Sequence, residues 1–328
     1  MATLLQIAAI VLGLTALVWS ADRFVDGAAA TARLLGVPPL LVGMVVVGFG
    51  TSAPELTVSA FAAAAGDSEI ALGNAWGSNI CNVALILGLS AAISPLVVPR
   101  AARRFALPVL LGATALSWFL LVDGTLSRAD AWILLAVFAA WLGWSVRAAL
   151  RGKKPAVAGD APGGGLSGRE AAFWTLAGLV VLVASSRALV WGAAGVARTL
   201  GTSELLIGLT VVAVGTSLPE LASSVAAARK GESDLAVGNV IGSNLFNTLA
   251  VVGLAGAIRP METVAPAVAG RDVPVAFALT AALLLVLPVP FVWRKADVRR
   301  LARPAGWLLL AAYAGYMAWL LRTETGVA

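Results

Sequence analysis

Histidine is absent from the 328 residues, and cysteine occurs once, at Cys81. Without histidine the chain lacks the commonest metal ligand and general base. A single cysteine excludes an internal disulfide and any thiolate cluster. Charge is scarce as well: Asp, Glu, Lys and Arg make up 12% of the chain, against about a quarter in ordinary soluble domains. So little charge cannot cover a water-facing surface. With hydrophobic residues at 60%, an integral membrane protein embedded in a lipid bilayer is expected. The formal net charge is +6, but the basic residues sit in short connections between apolar runs. They read as orientation charge, and no nucleic-acid partner is expected. The first apolar run has no basic leader and no clear small-residue cleavage site, so it reads as a retained helix rather than a signal peptide.

Apolar runs bounded by charge, Gly or Pro predict ten transmembrane helices, at 3–31, 38–65, 70–94, 104–122, 129–149, 171–198, 203–228, 235–258, 272–292 and 304–321. The first and sixth exceed the roughly 20 residues that cross a bilayer, so they must tilt or project. Arg100, Arg103 and Arg104, then Arg151, Lys153 and Lys154, then Arg294, Lys295, Arg299, Arg300 and Arg303 follow odd-numbered helices. Asp67 and Glu69, then Asp123, Arg128 and Asp130, follow even-numbered ones, and the loop from Arg229 to Asp234 is mixed. The positive-inside rule then puts the basic connections in the cytoplasm and both termini outside.

Two phrases are each written twice. GFGTSAPEL (Gly48 to Leu56) returns as AVGTSLPEL (Ala213 to Leu221), and ALGNAWGSNICN (Ala71 to Asn82) returns as AVGNVIGSNLFN (Ala236 to Asn247). The offset is 165 residues for Gly50 and Gly215, Glu55 and Glu220, Ser78 and Ser243, and Asn82 and Asn247. Residues 152–170, rich in Gly, Pro and charge, form the one plausible linker, here cytoplasmic. It separates an N-terminal five-helix repeat (1–151) from a C-terminal one (171–328). Five spans per copy force the second copy to enter from the opposite side. The expected fold is therefore an all-α polytopic membrane protein of ten transmembrane helices in two inverted five-helix repeats, the plan of a transporter with its site where the copies meet.

Each first phrase lies mid-way along an apolar segment. Pro54 and Pro219 remove a backbone donor and displace a carbonyl one turn earlier, and in lipid such a group must be satisfied by something. A cation could do so, and the Thr and Ser hydroxyls add oxygens. Glu55 and Glu220 add full negative charge, at a cost of roughly 2.5–3.5 kcal/mol each on insertion scales. The competing structural reading is a kinked helix holding a protonated, hydrogen-bonded Glu; its recurrence in an inverted pair favours a site. Ser78 and Asn82 are four apart and share a helix face, as do Ser243 and Asn247. These four read as ligands in preference to interhelical glue. For Asn79 and Asn244 the two readings balance, and Gly73, Gly77, Gly238 and Gly242 suit close helix packing. Carboxylates, hydroxyls and amides without N or S donors select a hard cation. Calcium takes six to eight oxygens and sodium can use the same ones, whereas magnesium holds its waters too firmly.

These residues resemble the cation/calcium exchanger superfamily, and most of all the prokaryotic sodium/calcium exchangers. The likeness is carried by the paired G-T-S-x-P-E-L and G-N-x-x-G-S-N phrases within roughly 20–95 and 185–260. It implies Glu55 and Glu220 as calcium carboxylates and the carbonyls of Thr51 and Thr216 as further calcium ligands. It also implies Thr51, Ser52, Ser78, Thr216, Ser217 and Ser243, with the carbonyls of Gly48 and Ala213, as ligands of flanking sodium sites. Asn82 and Asn247 would form the central polar pair. Many members of the superfamily carry Asp where this chain has Asn247, so the site holds two formal negative charges. The extra acid expected of potassium co-transport is thus missing. The short linker leaves no place for the cytosolic regulatory domain of animal members.

The expected function is a secondary antiporter exchanging Ca2+ for Na+, with those ions as transported substrates, no cofactor and no enzymatic activity. A prokaryotic plasma (inner) membrane is the expected location, and ten helices suffice for a monomeric carrier. Three alternatives differ in what they require. A calcium/proton antiporter would use the two glutamates for one Ca2+ or two H+. A channel would build its pore from symmetric subunits, whereas an inverted repeat suits a two-sided carrier. An intramembrane enzyme would need H-E-x-x-H, paired intramembrane aspartates or a histidine base, and the sequence has none of them.

Overall fold

The computed structural model describes residues 2–151, 166–201, 213–286 and 299–325. Residues 152–165 of the expected 152–170 linker, the start of the seventh expected span at 203–212 and the end of the ninth at 287–292 lie outside the described residues, while the helix after the linker already begins at Gly168. Twelve helical segments follow in order: α1 (Ala2–Leu35), α2 (Pro39–Thr51), α3 (Ala53–Ala65), α4 (Ile70–Ile93), α5 (Ala102–Leu121), α6 (Arg128–Arg151), α7 (Gly168–Thr199), α8 (Ala213–Thr216), α9 (Leu218–Arg229), α10 (Ser233–Ile258), α11 (Val268–Leu285) and α12 (Arg303–Thr323). Their ends agree with the expected boundaries to within a few residues. Local chemistry explains several of them. Asp67 accepts the Ile70 N–H (3.1 Å) before α4, and Ser167 with Glu170 forms a capping box at the start of α7. Gly66, at φ +88°, ends α3 in the left-handed geometry that glycine adopts most readily.

Among the described residues, eight helices are long and apolar enough to cross a membrane. Segments α2 and α3 meet at a 45° bend and make a ninth if counted together. The seventh expected span begins in the residues that are not described; its described part is α8 and α9, which flank the equivalent break at Ser217. The exterior is apolar, with Phe61, Phe119 and Leu200 exposed by 73%, 74% and 79%, whereas Glu55, Glu220, Asn82 and Asn247 are fully buried. Polar groups inside and apolar groups outside are what a hydrocarbon solvent selects.

Helices α1 and α7 lie against each other antiparallel. A Cβ on Gly27 would meet the Thr175 nitrogen at 2.5 Å, and one on Gly13 the Leu189 nitrogen at 3.0 Å. Inside, α2 crosses α10 almost backbone to backbone. A Cβ on Gly242 would come within 2.2 Å of the Met44 carbonyl oxygen, and one on Gly238 within 2.6 Å of that of Leu40. Small residues permit this approach, which is the usual device for close helix packing in lipid. The halves also exchange partners. The end of α4 packs on α12 and the end of α10 on α6. A short strand β1 (Leu96–Val98) pairs antiparallel with β2 (Arg299–Leu301), while Leu126 bridges Met261.

Neither the strands nor the π-helical turns were expected from periodicity. Single π turns interrupt α2 at Gly43–Val47, α4 at Cys81–Ile86, α5 at Ala102–Ala106, α10 at Phe246–Val251 and α11 at Val268–Asp272. Those in α4 and α10 keep the 165-residue offset and contain Asn82 and Asn247. A π turn leaves one extra residue in the helix, and such turns concentrate at functional sites.

Candidate functional site

The breaks at Ser52 and Ser217 position everything else. Their backbones match, at φ −84°, ψ 4° and φ −90°, ψ 9°, outside regular helix. Each is followed by a proline in the first turn of the next helix, where its missing N–H costs nothing. The helix therefore stops and restarts, rather than kinking around an interior proline. Glu55 and Glu220 fall in those restarted first turns. Anionic side chains are favoured there by the positive end of the helix.

The hydroxyls cross between halves. Ser52 Oγ donates to Glu220 Oε1 (3.1 Å) and Ser217 Oγ to Glu55 Oε1 (3.4 Å). Ser78 Oγ also donates to Glu55 Oε1 (3.4 Å) and lies 3.2 Å from Ser217 Oγ. On the other side Thr51 Oγ1 is within reach of Asn239 Oδ1 (3.1 Å), the Val47 carbonyl (3.1 Å) and Ser243 Oγ (3.4 Å). Ser243 Oγ is 3.4 Å from the Gly48 carbonyl, which already accepts the Ser52 N–H at 3.0 Å. Five of the expected side-chain ligands are thereby gathered with the carboxylates: Thr51, Ser52, Ser78, Ser217 and Ser243. Thr216 lies in α8 and Ala213 begins it.

Asn82 Nδ2 donates to Asn244 Oδ1 (2.9 Å), and Asn244 Nδ2 donates to the Asn79 carbonyl (3.2 Å). Asn79 and Asn244, evenly balanced on sequence, thus tie the two halves together. Asn74 and Asn239 are a pair that sequence reasoning passed over. Asn74 Nδ2 donates to the Glu55 carbonyl (3.1 Å) and Ser59 Oγ (2.9 Å). Asn239 Nδ2 reaches the Glu220 carbonyl (3.3 Å) and Ser224 Oγ (2.8 Å). Both stand inside the duplicated second phrase at the same offset, which was the available signal.

Several buried polar atoms have no hydrogen-bond partner: Glu55 Oε2, Glu220 Oε2, Asn82 Oδ1, and both Oδ1 and Nδ2 of Asn247. None of the ion pairs among the described residues involves either glutamate. The contrast is Asp272, a buried carboxylate that is paired: Arg271 Nε lies at 2.7 Å and Tyr316 OH donates at 3.0 Å. Unpaired buried carboxylate oxygens are costly. Two buried carboxylates surrounded by hydroxyl oxygens can hold a cation. Among the described residues no three His, Cys, Asp or Glu side chains cluster, so any cation here would draw on hydroxyl, amide and carbonyl oxygens beyond the two carboxylates.

Comparison with known proteins gives a consistent picture. The profile of the family described as sodium/calcium exchanger protein matches residues 5–147 and again 170–322. The chain is similar to the inner membrane protein YrbG of Escherichia coli, with 38% identity over 328 residues, 97% of this chain and 96% of that protein. It is similar to the sodium/calcium exchanger MaX1 of Methanosarcina acetivorans, with 32% identity over 292 residues, 77% of this chain and 83% of that protein. Its fold is similar to the solved structure of the sodium-calcium exchanger NCX_Mj soaked with Na+ and Sr2+, with a TM-score of 0.83 and 31% identity over 96% of this chain and 98% of that one.

Proposed function

The chain belongs to the sodium/calcium exchanger protein family, and we propose that it exchanges Ca2+ for Na+ by alternating access, with Glu55 and Glu220 as the central ligands. Cation exchange by a multi-pass membrane protein follows from the family; the ion pair and the residues that hold it are our reading. The observation that carries this reading is the pair of buried carboxylates, Glu55 and Glu220, each with an Oε2 atom that has no partner and each reached by a serine hydroxyl from the other half. Thr51 and Thr216 would add carbonyl oxygens to a calcium ion. Their hydroxyls, with Ser52, Ser217, Ser78, Ser243 and the carbonyls of Gly48 and Ala213, would serve sodium.

Two carboxylates ~6 Å apart at an effective dielectric of about 20 repel by roughly 3 kcal/mol. An empty site therefore resists passage through a dry intermediate, while an ion-filled one is near neutral. Exchange is favoured over leak. The antiparallel α1 and α7 pair is our candidate for the element that rocks against the core. The antiparallel run of these two repeat-related helices and the crosswise serines support inverted repeats of five helices each, ten in all, divided at 152–170. We place both termini outside a prokaryotic inner membrane and expect a monomer to suffice.

The discriminating experiment is calcium-loaded proteoliposomes given a sodium gradient at clamped pH. Saturable, sodium-dependent calcium release is the expected outcome. Release driven by a pH gradient and indifferent to sodium would replace this reading with calcium/proton exchange, because each unpartnered oxygen could equally take a proton.

A further inference from the structure

The two central asparagines occupy equivalent places yet are held differently. Asn82 is oriented by a chain of donors. The Asn79 main-chain carbonyl takes the Asn244 amide N–H (3.2 Å), so Asn244 turns its Oδ1 to the Asn82 Nδ2 (2.9 Å). Asn82 is left with its oxygen as the open atom. The repeat predicts a matching chain in which Asn247 Nδ2 donates to Asn79 Oδ1. That bond is not made. Asn79 Nδ2 instead donates to Thr248 Oγ1 at 2.8 Å, and Asn79 Oδ1 and both polar atoms of Asn247 are buried without partners. Thr248 is itself fully buried, and the residue 165 positions earlier is Val83, which has no hydroxyl to offer Asn244.

We propose that Thr248 is a positioning residue that makes the two central asparagines unequal: it captures the Asn79 side chain, so the Asn247 carboxamide is left free to turn, while Asn82 is held independently through Asn244. The proposal rests on the cation site described above and deepens it. A free carboxamide can offer its oxygen to a cation and swing its NH2 group inward when the ion leaves. A tethered one keeps its oxygen in place, which favours the ion-loaded state by pre-organisation and slows its exchange. One hydroxyl thus sets a balance between affinity and turnover.

The test compares wild type with Thr248→Val, which copies Val83, and Thr248→Ser, which keeps the hydroxyl. Each full-length protein is reconstituted in liposomes for sodium-driven calcium flux against calcium concentration. Thr248→Val should lower the half-saturating calcium concentration by roughly three- to ten-fold, the scale of one hydrogen bond, and lower the maximal rate as well. Thr248→Ser should match wild type. A general loss of structure would cut the rate without tightening half-saturation. Thr248→Ala carries the same expectation as Thr248→Val should the valine variant fail to fold. Unchanged or weaker half-saturation in the variants lacking the hydroxyl overturns the assignment of Thr248 alone. Wild type without sodium-driven flux overturns the proposed function, and this inference with it.

Discussion

At Ser52 the hydroxyl reaches across to Glu220, and at Ser217 it reaches across to Glu55. In this respect the two halves are copies, and each completes the other's carboxylate. A few residues away the copying stops. The Gly215 carbonyl accepts the Ser186 hydroxyl at 3.1 Å, while Ala21 stands at the equivalent place in the first half. Lys230 pairs with Asp26 at 2.7 Å, while Ala65 and Trp191 occupy the corresponding positions. The buried Arg271 and Asp272 pair ends a π turn whose counterpart in the first half ends in Phe105 and Ala106. Two inverted halves with identical surroundings would make the two orientations of a carrier equal in energy. On the alternating-access reading, the centre must stay alike to bind the same ions from either side, and the surroundings are free to set which orientation is preferred.

The comparison is broken most severely at its shared centre. Glu55→Gln or Glu220→Gln should reduce exchange by roughly 100-fold or more, since a full charge facing the ion is lost. Size-exclusion profiles should stay those of a folded protein, and the two variants should fail alike. Retained sodium-gradient-driven calcium flux in either would show that the halves do not share the ion.

A second break is mechanical. Gly242→Ala places a methyl where the Met44 carbonyl already lies, and overpacking of this kind costs about 1–3 kcal/mol. A lowered thermal midpoint of the detergent-solubilised protein would register it. An unchanged midpoint would mean that α2 and α10 are less tightly opposed than their backbones indicate.

Asn239→Ala and Asn74→Ala sharpen the comparison further. Asn239 faces the Glu220 carbonyl, two serines and the Thr51 hydroxyl. Asn74 is joined to the Glu55 carbonyl and Ser59. Each hydrogen bond is worth about 0.5–1.5 kcal/mol net, so the Asn239 variant should raise half-saturating calcium more than the Asn74 variant does. Equal effects would argue that the connection to Thr51 is idle. The smallest effect belongs to Lys230→Met. Its partners Asp22 and Asp26 are substantially exposed, and such pairs contribute no more than about 1 kcal/mol. A midpoint within a degree or two of wild type is expected.

Much of this molecule was legible along the chain. Helix limits were readable because each apolar run is long and ends at charge, Gly or Pro, as at Asp67 and Gly66. Glu55 and Glu220 were readable because a carboxylate deep in an apolar run has few structural explanations. Asn74 and Asn239 were visible as repeated letters, but their roles were not, because a polar residue in a helix says nothing of which carbonyl it will meet. Pro54 and Pro219 were expected to free a carbonyl one turn earlier, but the breaks at Ser52 and Ser217 were not foreseen. They proved to be restarts because proline is tolerated in a first turn and not in an interior one. The π turns gave no periodic signal at all, since one extra residue shifts the helical phase without changing composition.

By itself the sequence determined the solvent, most helix limits among the described residues and the inventory of oxygens, because hydropathy, length and residue type are properties carried locally by the chain. Its repeat determined which residues are equivalent. Tertiary structure alone decided which serine serves which glutamate, which oxygens are left without partners and why Asn82 and Asn247 differ. Those outcomes depend on how surfaces more than a hundred residues apart meet, and on the competition for each donor once they do. Thr248 against Val83 is the smallest instance: one methyl exchanged for a hydroxyl, meaningless in the sequence until Asn79 is found beside it.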